Sequence, residues 1–261
     1  MGWHNPPIAW SEHERRLRGD PGALRPVSSG SEQLLSPQPP LAVGEDATDY
    51  AELHLHTSFS FLDGVSAPGK LVERGKQLGL KGLAITDHNG MYGAVRFAEA
   101  AASLDMPTVF GAEISLAHNQ ARTEVPDPSG QHLLVLARGE QGYHRLCSAL
   151  TEAHLATPEK GTLQCDLETL ADMGRDHWMI LTGCRKGGVR SELPHTRMPS
   201  QKEQARSEEQ LERLVDLFGA DNVVVELYDH GHPLDSAHND FLATLAMKHR
   251  LAVVATGMVH Y

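Results

Sequence analysis

The residues of this 261-residue chain best suited to chemistry begin with His54 and His56, which sit at alternate positions after a short apolar run. Side chains two apart on a β-strand point to the same face, so both imidazoles face the same way. Such a pair commonly holds a metal ion, although a polar face on an edge strand gives the same pattern. Asp63 follows seven residues after His56. Taken alone, it is better explained as an ordinary turn aspartate before glycine.

Further potential metal ligands lie at the ends of other predicted strands. Glu113 stands in an otherwise apolar strand, where a carboxylate is costly unless it is paired or ligated. Cys184 in isolation is better explained as a small buried apolar residue. The strand-end candidates outside the first strand are His88, Glu113, His132, Cys184 and His260.

Taken together, these side chains predict a centre with more than one ion. Imidazole, carboxylate and thiolate suit Zn²⁺, Mn²⁺ or Fe²⁺ better than Mg²⁺ or Ca²⁺. More than four ligands predicts two or three ions, and such sites activate water and clamp a phosphate ester. Arg185 and Lys186 follow Cys184 directly and are candidate phosphate contacts, although a solvated helix start explains them equally well.

Short apolar runs alternating with amphipathic stretches must position these residues. Repeated βα units predict a parallel sheet covered by helices, and seven strands favour a closed or nearly closed α/β barrel with its chemistry at the strand ends. A polar turn or hairpin loop is predicted at Asn119–Gly130. We predict strands at Ala51–Leu55, Gly82–Thr86, Pro107–Leu116, His132–Ala137, Trp178–Thr182, Asn222–Leu227 and Ala252–Thr256. We predict helices at Pro68–Leu78, Met91–Leu104, Gln141–Leu155, Gln204–Phe218 and Leu234–His249.

Composition sets the surroundings. The chain carries 23 basic and 34 acidic residues, a net charge of −11, which disfavours tight nonspecific binding to phosphate backbones. Three cysteines without a CxxC pair fit a reducing cytoplasm. No secretory signal or membrane-spanning apolar stretch is expected. Residues 1–48, rich in Pro, Ser and Gly, are predicted to form a poorly ordered N-terminal arm.

Several segments resemble a known family. They are Ala51–Gly64, Leu83–Gly93, Phe110–Glu113, His132–Ala137, Leu181–Gly187 and Val254–Thr256. They are similar to the PHP (polymerase and histidinol phosphatase) domain of bacterial C-family DNA polymerase III alpha subunits. Met1–Trp3 and Asp229–Asp235 look most like the actinobacterial error-prone branch. The resemblance implies a distorted (β/α)7-type PHP barrel over residues 49–261.

The resemblance also implies a ligand set. The family's metal positions fall on His54, His56, Asp63, His88, Glu113, His132, Cys184 and His260. The sequence departs from the family at Met258, where metal-binding members have Asp. A thioether is a poor ligand for hard or borderline cations, so of two or three divalent sites (Zn²⁺, Mn²⁺ or Fe²⁺) we expect one to be weakened.

The functions implied are those of an error-prone, DNA-directed DNA polymerase: nucleotidyl transfer in DNA replication, DNA repair and damage-induced translesion synthesis. The family implies cytoplasmic partners, namely DNA held through polymerase regions, the sliding clamp and mutasome proteins. The family's catalytic aspartates, palm, thumb and fingers lie downstream of the region matched, so none of the polymerase residues is present. We therefore expect no DNA synthesis by this chain.

Four roles for the domain itself stay open at this stage. The metal centre could mainly stabilise the polymerase, which is the interpretation we favour, or it could act as a metal-dependent 3′–5′ exonuclease. The chain could instead be a free-standing PHP phosphoesterase of the histidinol phosphatase kind. A metal-free scaffold for mutasome proteins is the non-enzymatic alternative.

Overall fold

A computed structural model describes residues 48–116, 130–157 and 162–260. The predicted N-terminal arm lies outside these residues except for its last position, as does nearly all of the predicted loop before Gly130. The strands are β1 (Ala51–Glu52), β2 (Gly82–Ile85), β3 (Thr108–Leu116), β4 (Gln131–Ala137), β5 (Trp178–Leu181), β6 (Val223–Leu227) and β7 (Ala252–Ala255). The helices are α1 (Pro68–Gln77), α2 (Ala94–Leu104), α3 (Gly139–Leu155), α4 (Leu167–Gly174), α5 (Gln201–Phe218) and α6 (Asp235–His249).

The seven strands form one curled sheet in chain order, β1 to β7, as the barrel prediction required. The prediction that the sheet is parallel throughout was wrong at one strand, because β4 pairs antiparallel with both β3 and β5. The four other pairings are parallel. No described helix lies between β3 and β4, and a parallel pairing needs such a long crossover whereas an antiparallel one does not.

The two edges of the sheet meet beside the first strand. Leu55 and Val259 form an isolated parallel bridge beyond β1 and β7. Two hydrogen bonds carry this contact: His56 N donates to the Val259 carbonyl (2.8 Å), and Val259 N donates to the His54 carbonyl (2.9 Å). The early and late segments of the domain are therefore joined directly at the residues predicted to do chemistry.

Strand alternation separates an outer core from an inner one. On β4, Leu133 and Val135 pack in the large cluster beneath the helices, whereas Leu134 and Leu136 pack in a separate small cluster. His132 shares the face of Leu134, since both occupy even positions on the same strand. On β3, Ala112 and Ile114 belong to the helix-side cluster. Glu113 between them must therefore face the inside of the curled sheet.

All five predicted helices are present; α1 starts at the predicted residue, and the other four starts are shifted by one to three residues. The start of α5 is three residues earlier than predicted, because Ser200 and Glu203 form a capping box that begins the helix at Gln201. Helix α4 was not predicted because its eight residues are too few to show a clear helical period; Asp166 caps it by accepting from Thr169 N. No helix in the described ranges is long and apolar enough to cross a membrane.

Candidate metal centre

One rim of the curled sheet collects the predicted ligands. His54 and His56 follow β1, His88 follows β2, Cys184 follows β5 and His260 follows β7. These are carboxyl ends of parallel strands. His132 instead lies near the start of β4, yet the reversal of that strand brings its amino end to the same rim. All but Asp63 and His260 are buried.

Asp63 connects three of the imidazoles through one oxygen. Its Oδ2 lies 2.7 Å from His56 Nδ1, 3.1 Å from His88 Nε2 and 3.0 Å from His260 Nδ1. A tight loop holds it there: Asp63 N donates to the Ser60 carbonyl at 2.9 Å. An ordinary surface turn would not direct the carboxylate into a cluster of histidines.

Glu113 lies at the middle of the cluster. Its Oε2 is 3.1 Å from His56 Nε2 and 3.3 Å from His88 Nδ1. Its Oε1 is 3.3 Å from His132 Nδ1 and 3.7 Å from His54 Nε2. One carboxylate with a side chain only 1% exposed thus faces four imidazoles contributed by three strands.

Cys184 extends the cluster at His132: its Sγ lies 3.6 Å from His132 Nδ1, the same nitrogen that faces Glu113. Its sulfur also accepts a hydrogen bond from Lys186 N at 3.3 Å. The structure thus brings all eight predicted ligands into one connected group. Three triads have donor atoms within 4.8 Å of one another: His54–His56–Glu113, His56–Asp63–His260 and His88–Glu113–His132.

The spacing of these atoms fits divalent ions. A tetrahedral ion with bonds of about 2.0 Å to N and O keeps its donors about 3.3 Å apart, and a Zn–S bond of about 2.3 Å gives an N–S separation of about 3.5 Å. The Glu113–imidazole and Cys184–His132 separations match these values. His54 Nε2, His56 Nε2 and Glu113 Oε1 are buried and find no hydrogen-bond partner within the described part of the chain. Buried polar atoms left this way are costly, and a bound cation would remove the cost.

The charges of the centre reinforce each other. Burial alone would raise the pKa of Asp63, but hydrogen bonds from His260, His56 and His88 hold that pKa well below its usual range. Burial opposes the charge of Glu113 too, yet His132, His54 and His56 keep its pKa well below normal. The half-buried Asp63 and the buried Glu113 therefore both stay ionised, as metal ligands must be.

The histidine pKa values move in both directions. Burial would lower the pKa of His54, but the charges of Glu226 and Glu113 raise it well above normal. Burial would also lower the pKa of His56, but Asp63 and Glu113 raise it above normal. Burial dominates at His88 and lowers its pKa. With no cation present, the centre therefore draws protons onto some imidazoles to balance its carboxylates.

Several buried acidic residues beside the centre, including Glu226 and Asp87, were not among the predicted site residues. Glu226 on β6 places Oε1 2.8 Å from His54 Nδ1, on the side of the ring away from Glu113. Its signal in the sequence is the one used for Glu113: a carboxylate within an apolar strand, here Val223–Leu227. Asp87 instead binds the loop after β1, accepting from Thr57 N and Ser60 Oγ at 2.7 Å each.

Met258 stands at the position where the resemblance implied an aspartate ligand. Its side chain is 6% exposed and packs with Cys184 and Tyr228, and its backbone has the left-handed φ of 45°. It lines the same cavity as the ligands, so the thioether occupies space beside the centre.

A cavity of about 1020 Å³ opens from the centre. Metal-ligand candidates line part of it. Arg185, Lys186, His195, His230 and His232 line it as well. Arg185 is 27% exposed, and its Nη2 lies 3.6 Å from Asp235 Oδ2. Cationic side chains and carboxylates thus line the same cavity.

The sequence is similar over its full length to error-prone DNA polymerases of actinobacteria. It is 50% identical to that of Mycobacterium tuberculosis (strain H37Rv) and 47% identical to that of Cutibacterium acnes, each over 100% of this chain. The chain covers 24% and 23% of those proteins, so it spans about a quarter of the length of the curated relatives it matches.

Solved structures share the fold at lower identity. An amidohydrolase from Chromobacterium violaceum superposes with a TM-score of 0.55 at 16% identity, covering 80% of this chain and 87% of that one. The PHP domain family itself matches residues 52–230, well over half of the sequence. With the seven-strand curled sheet and the histidine–carboxylate centre at one rim, these matches show that this chain belongs to the PHP domain family.

Proposed function

We propose that this chain is the metal-binding PHP domain of an error-prone DNA polymerase, occupying residues 49–261 after an N-terminal arm at residues 1–48. The observation that supports it best is the convergence of eight ligand-type side chains on one rim, in a sequence about 50% identical to such polymerases. His54, His56, Asp63, His88, Glu113, His132, Cys184 and His260 hold two or three divalent ions. Zn²⁺ or Mn²⁺ suits this donor set best, with Fe²⁺ as a further candidate.

The principal role we propose for the metal is to stabilise the domain. The ligands come from segments far apart in sequence, with His54 and His260 at the two edges of the sheet. A metal that binds these residues only in the folded state shifts the folding equilibrium by mass action. Met258 weakens one of the sites, because it offers a thioether where a carboxylate would bind a borderline cation better.

Removal of the metal tests this role. At free zinc about 1,000 times the dissociation constant, binding contributes about 4 kcal/mol, a Tm shift on the order of 10 °C for a domain of this size. We expect chelation to lower the Tm of the full chain by that order and zinc to restore it. A chelator-insensitive Tm, together with less than about one ion per chain by elemental analysis, would favour the metal-free scaffold instead.

A second candidate is metal-dependent 3′–5′ hydrolysis of DNA. It is favoured by Arg185 and Lys186, which line the same cavity as the metal-ligand candidates. Arg185 and Lys186 would contact the phosphate while the ions activate water. Release of nucleotides from a mismatched 3′ primer end by the manganese-loaded chain, lost in Arg185→Ala, would support it. An intact primer end eliminates this activity.

A free-standing phosphoesterase of the histidinol phosphatase kind is the third candidate. It predicts turnover of small phosphomonoesters that persists when residues 1–48 are removed. The partners implied by the proposed polymerase are DNA, bound mainly through regions beyond this domain, the sliding clamp and mutasome proteins, all in the cytoplasm. The net charge of −11 fits a domain that does not grip DNA by itself.

A further inference from the structure

Glu226 lies beside the metal centre, where it contacts the ring of His54. It is wholly buried on β6. Its Oε1 lies 2.8 Å from His54 Nδ1 and accepts a hydrogen bond of 2.5 Å from Thr256 Oγ1. Its backbone N donates to Thr182 Oγ1 at 2.9 Å, which fixes the strand on the other side.

The two nitrogens of His54 therefore face opposite carboxylates. Nδ1 meets Glu226, whereas Nε2 points to Glu113, 3.7 Å away, and has no hydrogen-bond partner within the described ranges. An imidazole whose Nδ1–H donates to a carboxylate keeps its Nε2 lone pair available for a metal. The donated hydrogen bond also makes that nitrogen a stronger ligand.

We propose that Glu226 is a positioning residue for the metal centre: it fixes His54 as the Nδ1–H tautomer and strengthens Nε2 as a ligand. This inference rests on the proposed metal-binding function. The carboxylate adds a buried negative charge close to the ions without ligating them itself. Thr256, the residue directly after β7, donates to the same oxygen, so the position of the carboxylate is set by β6 and by the end of β7.

A second buried carboxylate in the same region provides a matched control. Glu52 is 3% exposed and also bonds to His54, but through the backbone: His54 N donates to its Oε1 at 2.9 Å. Glu52 also accepts from Tyr50 Oη at 2.8 Å and from Gly257 N at 2.7 Å. Its loss disturbs the same strand without touching the imidazole ring.

The test compares Glu226→Gln with Glu52→Gln in the full chain, with zinc alone as the probe. Zinc affinity is measured by competition with a chromophoric chelator, and Tm is measured in parallel. We expect Glu226→Gln to weaken the zinc affinity about 10- to 100-fold, the usual effect of losing such a partner. Glu52→Gln should lower the Tm while leaving the zinc affinity unchanged within error.

Each outcome separates the ideas. Unchanged affinity in Glu226→Gln, or an equal loss in Glu52→Gln, overturns the positioning role while leaving the metal-binding function intact. No zinc binding by the unaltered chain overturns both. Should Glu226→Gln fail to fold, ¹⁵N shifts of the His54 ring in the zinc-loaded unaltered chain decide. A protonated Nδ1 supports the proposal, and a protonated Nε2 overturns it.

Discussion

At the residue scale, the metal centre shows which side chains could be found from the sequence. The eight ligand candidates were found because their types are rare at strand ends or belong to recognisable motifs. Glu226 was missed although it stands in an apolar strand as Glu113 does. Its role depends on which ring nitrogen of His54 it faces across the sheet, and no sequence pattern specifies that contact.

Met258 carries the first prediction. We expect Met258→Asp to tighten zinc binding by about tenfold, because a carboxylate replaces a thioether beside Cys184. The same change should destabilise the metal-free protein, since the new charge would be buried against Tyr228. Isothermal titration with zinc and thermal unfolding with chelator measure the two effects.

Met258→Leu is the matched control for that change, because it keeps the apolar packing and removes only the sulfur. Its zinc affinity should equal that of the unaltered protein. If Met258→Asp also leaves the affinity unchanged, position 258 does not face the ions and the weakened-site hypothesis is wrong.

At the element scale, the sequence predicted seven strands in the right places but missed the direction of one. Apolar periodicity locates a strand, yet it says nothing about the strand's orientation. Connection length bears on it, because a polar turn or hairpin loop such as the one predicted at Asn119–Gly130 can join an antiparallel pair but is too short for a parallel crossover. In an all-parallel sheet His132 would have lain at the opposite rim. Its place in the centre thus depends on the reversal of β4.

The loop that carries Asp63 yields the second prediction. A Cβ at Gly64 would lie 1.9 Å from the Thr57 carbonyl oxygen, so the loop cannot close around any other residue. We expect Gly64→Ala to lower the free energy of unfolding by about 3 kcal/mol and to weaken zinc binding, because Asp63 shifts. Chemical denaturation with and without zinc measures both.

Gly69→Ala is the control for backbone effects of this substitution. Gly69 lies in the first turn of α1, where the nearest atom to a new Cβ is Ala100 Cβ at 3.7 Å. Alanine there should leave stability unchanged or raise it by about 0.5 kcal/mol. An equal loss in both variants would mean that the close approach at Gly64 is not what constrains the loop.

At the scale of the whole molecule, charge balance at the centre predicts opposite pH dependences with and without metal. The pKa values of His54 and His56 are raised in the folded protein. Their protonation therefore stabilises the metal-free fold fully below about pH 6.5, and this stabilisation is lost as pH rises through the folded-state pKa values. The lowered pKa of His88 opposes this, but one group acts against two. The metal-free Tm should therefore fall from about pH 6 to about pH 9.

Zinc reverses the trend, because its histidine ligands must be deprotonated and its affinity rises with pH. The Tm difference between zinc-loaded and chelated protein should thus widen over the same interval. Below about pH 4, loss of the Asp63 and Glu113 charges should destabilise both forms. Scanning calorimetry across the pH range measures the Tm of both forms. A metal-free Tm that climbs between about pH 6 and about pH 9 would contradict the assigned protonation states.

The junction of the sheet edges has a mechanical consequence. Leu55 and Val259 lie on segments that run parallel, and their hydrogen bonds are reinforced by Val65 N donating to the His260 carbonyl at 2.9 Å. A force that pulls residue 50 away from residue 260 loads these bonds in shear, so they must break together rather than one after another. Resistance to stretching is then concentrated at the rim that carries the ligands. A metal ion bound there by His54 or His56 together with His260 would cross-link the same two segments.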